Sequence, residues 1–127
     1  MEEFVLDASA LLATLQDEPG AAEIDGRLNR ACIGTVNLAE VVTKLAEGGI
    51  PPEVVSRMIA SLDLDIRPFE REHAERAGLL RSPTRALGLS LGDRACLALA
   101  EALGRTAITT DHIWTKLDLG IAIEVMR

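Results

Sequence analysis

The chain begins with a short apolar run that ends in a carboxylate and passes directly into a helix-forming segment. The run is Phe4-Val5-Leu6, the carboxylate is Asp7, and an Ala- and Leu-rich stretch at 8–16 follows. A continuous apolar run of this length is typical of a buried strand, and the stretch after it is typical of a helix. Asp7 is therefore predicted at the carboxyl end of a strand, which is the edge where open α/β sheets bind ligands.

Three further acids, Glu40, Asp93 and Asp111, occupy comparable places in the pattern. Asp111 closes a short apolar strand, as Asp7 does, whereas Glu40 and Asp93 lie near the predicted starts of helices. Strands that alternate with helices predict an α/β fold, with a central, mainly parallel sheet flanked by helices on both faces. Because parallel strands end at the same edge, we expect these four carboxylates to lie close together.

The same alternation continues to the end of the chain without a linker or a repeat, so residues 1–127 are interpreted as one domain. The predicted strands are 4–6, 32–34, 64–68, 106–109 and 121–125. The predicted helices are 8–16, 21–29, 35 or 37 to 47, 51–62, 70–81 and 92–104, with a helical turn at 112–117. Residues 82–84, Ser-Pro-Thr, are predicted to form a loop.

Composition limits the kinds of ligand that the chain can bind. Apolar residues make up 48% of the sequence, which is enough for a core, but aromatic residues make up only 2%, which excludes an aromatic stacking platform for single-stranded nucleic acid. The net charge of −7 argues against broad electrostatic binding of phosphate backbones and favours a local acidic pocket that takes up cations. One part of the chain is rich in arginine, at Arg67, Arg71, Arg76, Arg81, Arg85 and Arg94.

The two cysteines and the N-terminus bear on the cellular compartment. Cys32 and Cys96 lie in apolar settings and form no disulfide framework and no C-x-x-C pattern, so buried free thiols are expected. The chain starts Met1-Glu2-Glu3, unlike a signal peptide, and no apolar run approaches the roughly 20 residues that span a bilayer. We therefore expect a cytoplasmic protein without a membrane anchor.

Each acid also has a simpler interpretation as a helix cap. Asp7 and Asp111 fit N-cap positions, and the segments 37–40 and 90–93 fit the capping-box pattern. The joint pattern favours a site instead, because four converging carboxylates repel one another by ~1 kcal/mol per close pair even in water. Such a cluster is tolerable when it binds a cation or holds protons.

The ligand types indicate which cation. Carboxylate-rich, all-oxygen sites suit Mg²⁺ or Mn²⁺, and these ions commonly serve phosphate chemistry. The two histidines, His73 and His112, have no zinc-ligand spacing with each other or with cysteine. His73 lies in a polar predicted helix, so we expect it at the solvent-exposed surface.

Four segments in order, 5–11, 37–41, 89–100 and 109–114, resemble the four motifs of PIN-domain ribonucleases, and within that family they look like the VapC toxins of bacterial toxin–antitoxin pairs. The resemblance implies a PIN fold and Mg²⁺- or Mn²⁺-dependent endonucleolytic cleavage of single-stranded RNA regions. It also implies a homodimer and a cognate VapB-like antitoxin, which often places a basic side chain in the acidic pocket.

The resemblance carries over to individual residues. Asp7 and Asp93 match the principal metal ligands, and Ser9 and Thr109 match hydroxyl positions that support the site, although both hydroxyls can instead bond nearby backbone. The full acidic quartet, which the resemblance assigns to catalysis and metal binding, is Asp7, Glu40, Asp93 and Asp111.

Two other classes of function remain open at this point. A receiver-like signalling domain has a similar size, a similar order of strands and helices and an acidic Mg²⁺ pocket, but the acidic pair that it needs does not follow the first strand. A catalytically inactive module is the other alternative, with an acidic pocket that only binds a basic peptide.

Overall fold

The computed structural model describes residues 2–126, and within them the strands form one sheet. The strands are β1 (Phe4–Leu6), β2 (Ala31–Gly34), β3 (Asp65–Arg67), β4 (Thr106–Thr109) and β5 (Ile123–Val125). Their order across the sheet is β3-β2-β1-β4-β5, and every neighbouring pair is parallel. The prediction of a mainly parallel sheet is confirmed, and all strand ends share one edge.

Helices fill the connections between the strands. They are α1 (Ala8–Gln16), α2 (Ala21–Asp25), α3 (Thr35–Glu47), α4 (Pro52–Ala60), α5 (Arg71–Leu79), α6 (Arg81–Thr84) and α7 (Leu91–Leu103). Shorter 3₁₀ segments are Leu28–Arg30, Arg85–Leu87 and His112–Lys116. The boundaries follow local chemistry: Pro52 opens α4, where the absent N–H would have no acceptor, and Gly104 ends α7 with a φ of 64°.

The sheet separates two hydrophobic clusters. Phe4 and Leu6 of β1 pack into a cluster with residues of α1 to α4, whereas Val5 points to the opposite face and packs with α5 and α7. This alternation is the two-residue period of a strand whose faces are both covered. Each fully buried Leu, Ile or Val stabilises the fold by roughly 1.5–3 kcal/mol relative to exposure. Helices therefore cover both faces of the sheet, as predicted.

The strand order decides against the receiver-like alternative. Receiver domains have the order 2-1-3-4-5, whereas this sheet has the order 3-2-1-4-5. In the present order, β2 and β3 are added on one side of β1, and the later strands β4 and β5 are added on its other side. The order in which strands are added therefore reverses between β1 and β4. A crevice forms outside the carboxyl ends of strands at such a reversal, so the residues that follow β1 and β4 are the ones placed beside it.

Two local predictions are wrong. Residues 82–84 are not a loop but belong to α6, where Pro83 is tolerated in the first helical turn and the Thr84 hydroxyl donates to the Leu80 carbonyl at 2.7 Å. His73 is not at the surface: it is only 9% exposed, and its Nδ1 accepts a hydrogen bond from the Glu70 backbone N–H at 3.2 Å. The His73 side chain is held at the first turn of α5 by this hydrogen bond, which hydrophobic periodicity does not reveal.

The expectations for the cysteines hold. Cys32 and Cys96 are free and buried, and burial raises the pKa of both thiols, which keeps them protonated and unreactive. Among the helices of residues 2–126, none has the length and apolar character needed to cross a bilayer.

Candidate active site at the carboxyl edge of the sheet

Asp7 is the most buried of the four predicted acids. It directly follows β1 and is only 3% exposed, and its Oδ1 accepts a hydrogen bond from the Ala10 backbone N–H at 2.8 Å. Asp7 is therefore the N-cap of α1, as the simpler interpretation predicted. The cap does not use the whole carboxylate, because Oδ2 points away from the helix toward β4, where Thr109 ends the strand.

Two hydroxyl groups hold this carboxylate from both sides. Ser9 Oγ donates to Asp7 Oδ1 at 2.7 Å, and Thr109 Oγ1 donates to Asp7 Oδ2. The backbone N–H of Thr110 donates to Ser9 Oγ at 3.0 Å, and that of Asp111 donates to Thr109 Oγ1 at 3.0 Å. Both hydroxyls therefore bond backbone groups and Asp7 together, and they connect β1 with β4 across the point where the strand order reverses.

The environment of Asp7 makes it a weaker acid than an exposed aspartate. Burial raises its pKa from 3.8 to about 6, against the lowering effect of the hydrogen bonds from Thr109, Ser9 and Ala10, and the charge of Asp93 raises it further. Ser9 Oγ and Thr109 Oγ1 are also 3.2 Å apart, so the two hydroxyls that donate to Asp7 lie beside each other.

Asp93 lies in the first turn of α7 and completes a capping box. The Ser90 backbone N–H donates to Asp93 Oδ2 at 2.9 Å, and the Asp93 backbone N–H donates to Ser90 Oγ at 3.1 Å. Asp93 is half-buried, and its negative charge raises the pKa of both Asp7 and Glu40. Asp93 is therefore the acid whose charge acts on both of the others.

Glu40 reaches this group from the second turn of α3. Its helix begins at Thr35 with Gly34 as the N-cap, so the predicted capping box at 37–40 is wrong. Instead, Asn37 Nδ2 donates to Glu40 Oε1 at 3.1 Å. Burial raises the pKa of Glu40, the charge of Asp93 raises it further, and the Asn37 hydrogen bond lowers it.

Asp111 occupies the outer rim of the site. It is exposed, and its Oδ1 accepts a hydrogen bond from the Ile113 backbone N–H at 3.0 Å, as the N-cap of the 3₁₀ segment His112–Lys116. Its own backbone N–H donates to Thr109 Oγ1, which also donates to Asp7. The backbone of Asp111 is therefore joined to the hydrogen bonds around Asp7. Three of the four acids thus act as caps and also face one edge of the sheet, and only Glu40 has no capping role.

The donor set can be compared with the ligands that different cations need. Within residues 2–126, no group of three or more His, Cys, Asp or Glu side chains is arranged so that it could hold a metal ion by itself. A closed zinc cage needs such a group, whereas Mg²⁺ is commonly held through one or two carboxylates, with water and phosphate oxygens as the other ligands. Asp7 and Asp93, with Glu40 beside them, fit the second arrangement.

Two residues to which the sequence analysis gave no role in the site contact Glu40. Asn37 donates a second hydrogen bond from Nδ2 to the Gly92 carbonyl at 3.0 Å, and the Glu40 carboxylate packs directly over Gly92. The available signal was the asparagine three positions before Glu40, which suggested a cap. Its actual partners lie on another helix, which sequence spacing does not indicate.

Comparison with known proteins identifies the family. Residues 4–119 match the family model described as the PIN domain, which covers most of the chain. The chain belongs to the PIN-domain family. The predicted PIN fold is therefore confirmed, and the acids described above lie on a PIN-domain scaffold. No curated protein matches the sequence.

Several solved structures are similar to this PIN domain over nearly the full length of both chains. A chain of the DNA-bound VapBC complex from Salmonella typhimurium has 22% identity and a TM-score of 0.78, with 98% of each chain covered. A chain of VapBC2 from Rickettsia felis, bound to a promoter DNA fragment, has 16% identity, a TM-score of 0.78 and the same coverage. VapBC-5 from Mycobacterium tuberculosis has 22% identity and a TM-score of 0.64, with 100% of this chain and 99% of that chain covered.

Proposed function

We propose that this PIN domain is a Mg²⁺- or Mn²⁺-dependent endoribonuclease and the toxin of a VapBC-type toxin–antitoxin pair. The observation that carries the proposal is the position of Asp93, whose charge acts on Asp7 and on Glu40 at the carboxyl edge of the sheet. A carboxylate whose charge raises the pKa of neighbouring acids in a crevice is typical of functional sites, since a cation or a proton must offset the repulsion.

Asp7 and Asp93 are the proposed principal metal ligands, and Glu40 and Asp111 complete the catalytic set. When bound, the metal supplies Lewis-acid chemistry: it polarises the phosphoryl oxygen, favours hydroxide formation from water and stabilises the leaving oxygen. It also reverses the sign of the local charge, so that an acidic pocket can receive a phosphodiester.

The chain's own residues have separable tasks in this proposal. Ser9 and Thr109 hold the Asp7 carboxylate in one orientation, which reduces the reorganisation needed when a cation replaces the proton. Glu40 is half-buried and has a raised pKa, which suits a group that accepts a proton from the attacking water. Asp111 is exposed at the rim, where it can orient water or the RNA strand.

RNA binding has to rely on few cations. Three arginines of the basic stretch form ion pairs within the described chain, Arg67 with Asp65, Arg71 with Glu75 and Arg76 with Glu101. Arg81 and Arg85 are exposed and form no ion pair with another residue of the described chain. They precede α7 in the sequence and are the proposed phosphate contacts outside the metal site.

The proposed partners are a VapB-like antitoxin, an RNA substrate and a second copy of the chain. Support for the antitoxin comes from the similar structures, which are themselves VapBC complexes. The net charge of −7 and the acidic crevice favour a basic antitoxin segment that enters the same pocket as the metal. Cytoplasmic location is part of the proposal, because the RNA substrate is found there.

A cleavage assay tests the proposal. Purified protein is incubated with a labelled pool of structured RNA in Mg²⁺, in Mn²⁺ and in EDTA, beside the variants Asp93→Asn and Asp25→Asn. The first variant removes a proposed ligand, and the second makes the same change at an exposed residue of α2. We expect metal-dependent cuts by the wild type and Asp25→Asn, and their loss in Asp93→Asn with folding retained.

The alternative binding module predicts a different result. If the pocket only binds a basic peptide, no RNA is cut under any metal, and Asp93→Asn changes peptide affinity alone. Cuts that persist in EDTA, or that Asp93→Asn leaves unchanged, would overturn the assignment of the site.

A further inference from the structure

The Glu40 carboxylate lies against the backbone of another helix, and two residues make this possible. It approaches the first turn of α7 so closely that a Cβ built on Gly92 would overlap both of its oxygens. A side chain at position 92 therefore requires the Glu40 carboxylate to move. The contact is the reason for a glycine inside a helix, where glycine is unfavourable.

Space, and not backbone conformation, explains Gly92. It is the second residue of α7, and its φ does not lie in the positive region that favours glycine, unlike that of Gly104 at the helix end. Gly78 in α5 is a contrasting case, because a Cβ there would meet nothing within 4 Å. The absence of a side chain at Gly92 therefore leaves the space that the Glu40 carboxylate occupies.

Asn37 completes the support from the other side. Its side chain is only 2% exposed, and Nδ2 donates both to Glu40 Oε1 at 3.1 Å and to the Gly92 carbonyl at 3.0 Å. Both partners are acceptors, so the amide nitrogen must face them, and its two protons match the two contacts. Asn37 thus connects the Glu40 carboxylate by hydrogen bonds to Gly92, the residue that the carboxylate contacts.

We propose that Asn37 and Gly92 are positioning residues that together hold the Glu40 carboxylate at the first turn of α7, beside Asp93, in the geometry that the cleavage reaction needs. This inference rests on the proposed nuclease function where activity is concerned. The spatial part of the inference does not depend on that function. It states only that a side chain at position 92 and the Glu40 carboxylate would occupy the same space.

A stability cycle tests the spatial part without metal or substrate. Melting temperatures are compared for the wild type, Gly92→Ala, Glu40→Ala and the double variant, with Gly78→Ala as the matched control in an open helical site. We expect Gly92→Ala to lower the melting temperature of the wild type. In the Glu40→Ala background the same change should raise it, as Gly78→Ala does, because the volume is vacant and alanine favours helix.

A kinetic cycle tests the positioning part. Asn37→Ala should lower kcat by about 10–100-fold with little change in KM, and weaken Mn²⁺ binding in calorimetry, as is usual when a residue that orients a ligand is lost. In the Glu40→Gln background, Asn37→Ala should cause a smaller loss of kcat, because the part of its effect that acts through the Glu40 carboxylate is already removed. Asn29→Ala, the same change at an exposed position, is the control.

The outcomes separate the two hypotheses. Equal losses of kcat for Asn37→Ala in both backgrounds, or a Gly92→Ala destabilisation that Glu40→Ala does not relieve, would overturn the positioning role while the nuclease stands. No cleavage by the wild type would overturn the nuclease, and the melting temperatures would still decide whether Gly92 makes room for Glu40.

Discussion

At the scale of single residues, Asp7 combines two roles that usually conflict. As a helix cap it accepts from the Ala10 N–H, and as a buried carboxyl with two hydroxyl donors it has a pKa of about 6. The hydrogen bonds alone would lower that pKa, so burial is the stronger effect. The result is a carboxyl that is mostly ionised at pH 7 but takes up a proton at a higher pH than an exposed aspartate does.

This balance makes stability depend on pH. Between pH 3.8 and about 6 the folded protein retains a proton on Asp7 that the unfolded chain has released, so stability falls as pH rises through this window. The loss attributable to Asp7 is about 3 kcal/mol at most. Urea unfolding in EDTA at a series of pH values should show a steeper decline for the wild type than for Asp7→Asn, with Asp25→Asn as the control. Parallel curves for the wild type and Asp7→Asn would contradict the shift.

The Thr109 hydroxyl should matter more than its size suggests. Thr109→Val keeps the shape but removes the donor to Asp7 and the acceptor for the Asp111 N–H, both in a fully buried place. We expect a loss of about 1–3 kcal/mol in the free energy of unfolding, together with a higher pKa of Asp7. Denaturant unfolding measures the first and NMR titration of the carboxyl carbon the second. Thr43→Val, at an exposed helical position, should change neither appreciably.

At the scale of secondary structure, the site is built from the beginnings of helices. The start of α1 presents Asp7, the start of α7 presents Asp93, and a 3₁₀ segment begins at Asp111. The capping interpretation of these acids is therefore confirmed, and it is compatible with the proposed active site, because a cap need not use the whole carboxylate. Orphan N–H groups at each helix start also favour negative charge there.

The capping box of α7 gives a prediction at this scale. Ser90→Ala removes the acceptor for the Asp93 N–H, so the free energy of unfolding should fall by about 1 kcal/mol. Ser56→Ala, at an exposed position inside α4, should be neutral or slightly stabilising. Urea midpoints of the two variants provide the comparison, and equal midpoints would mean that the box adds no stability.

At the scale of the whole molecule, strand order brings the site together. The residues after β1 and β4 become neighbours only because these strands pair, and α3 and α7 bring Glu40 and Asp93 to the same edge. The acids repel one another, so we expect that a cation bound at the proposed site would add stability to the entire fold.

Metal binding should therefore raise the melting temperature. At a free Mn²⁺ concentration 100 times the dissociation constant, the folded state should gain about 2.7 kcal/mol. Differential scanning calorimetry of the wild type and Asp25→Asn should show the increase, and Asp93→Asn should not. An equal increase in Asp93→Asn would mean that the ion binds elsewhere on this acidic chain.

The sequence by itself determined the elements and the candidate acids. Apolar runs and helical periodicity predicted the strands and most helices near their observed bounds, and the chemistry at the strand ends identified Asp7 and Asp111. These signals are local, since each depends on residues within a few positions. Local signals also misplaced His73 and the segment 82–84, where a single capping or side-chain hydrogen bond decides the structure.

Only the tertiary structure decided which groups meet. The partner of Asp7 on β4 is Thr109, 102 positions away, and the Gly92 carbonyl that binds Asn37 is 55 positions away. Such contacts depend on the order of strands in the sheet and on the packing of α3 against α7, neither of which hydrophobic periodicity encodes. The same limit explains why the role of Gly92 was not recognised from sequence. The reason for a glycine at this position is visible only when the neighbouring side chain, that of Glu40, is known.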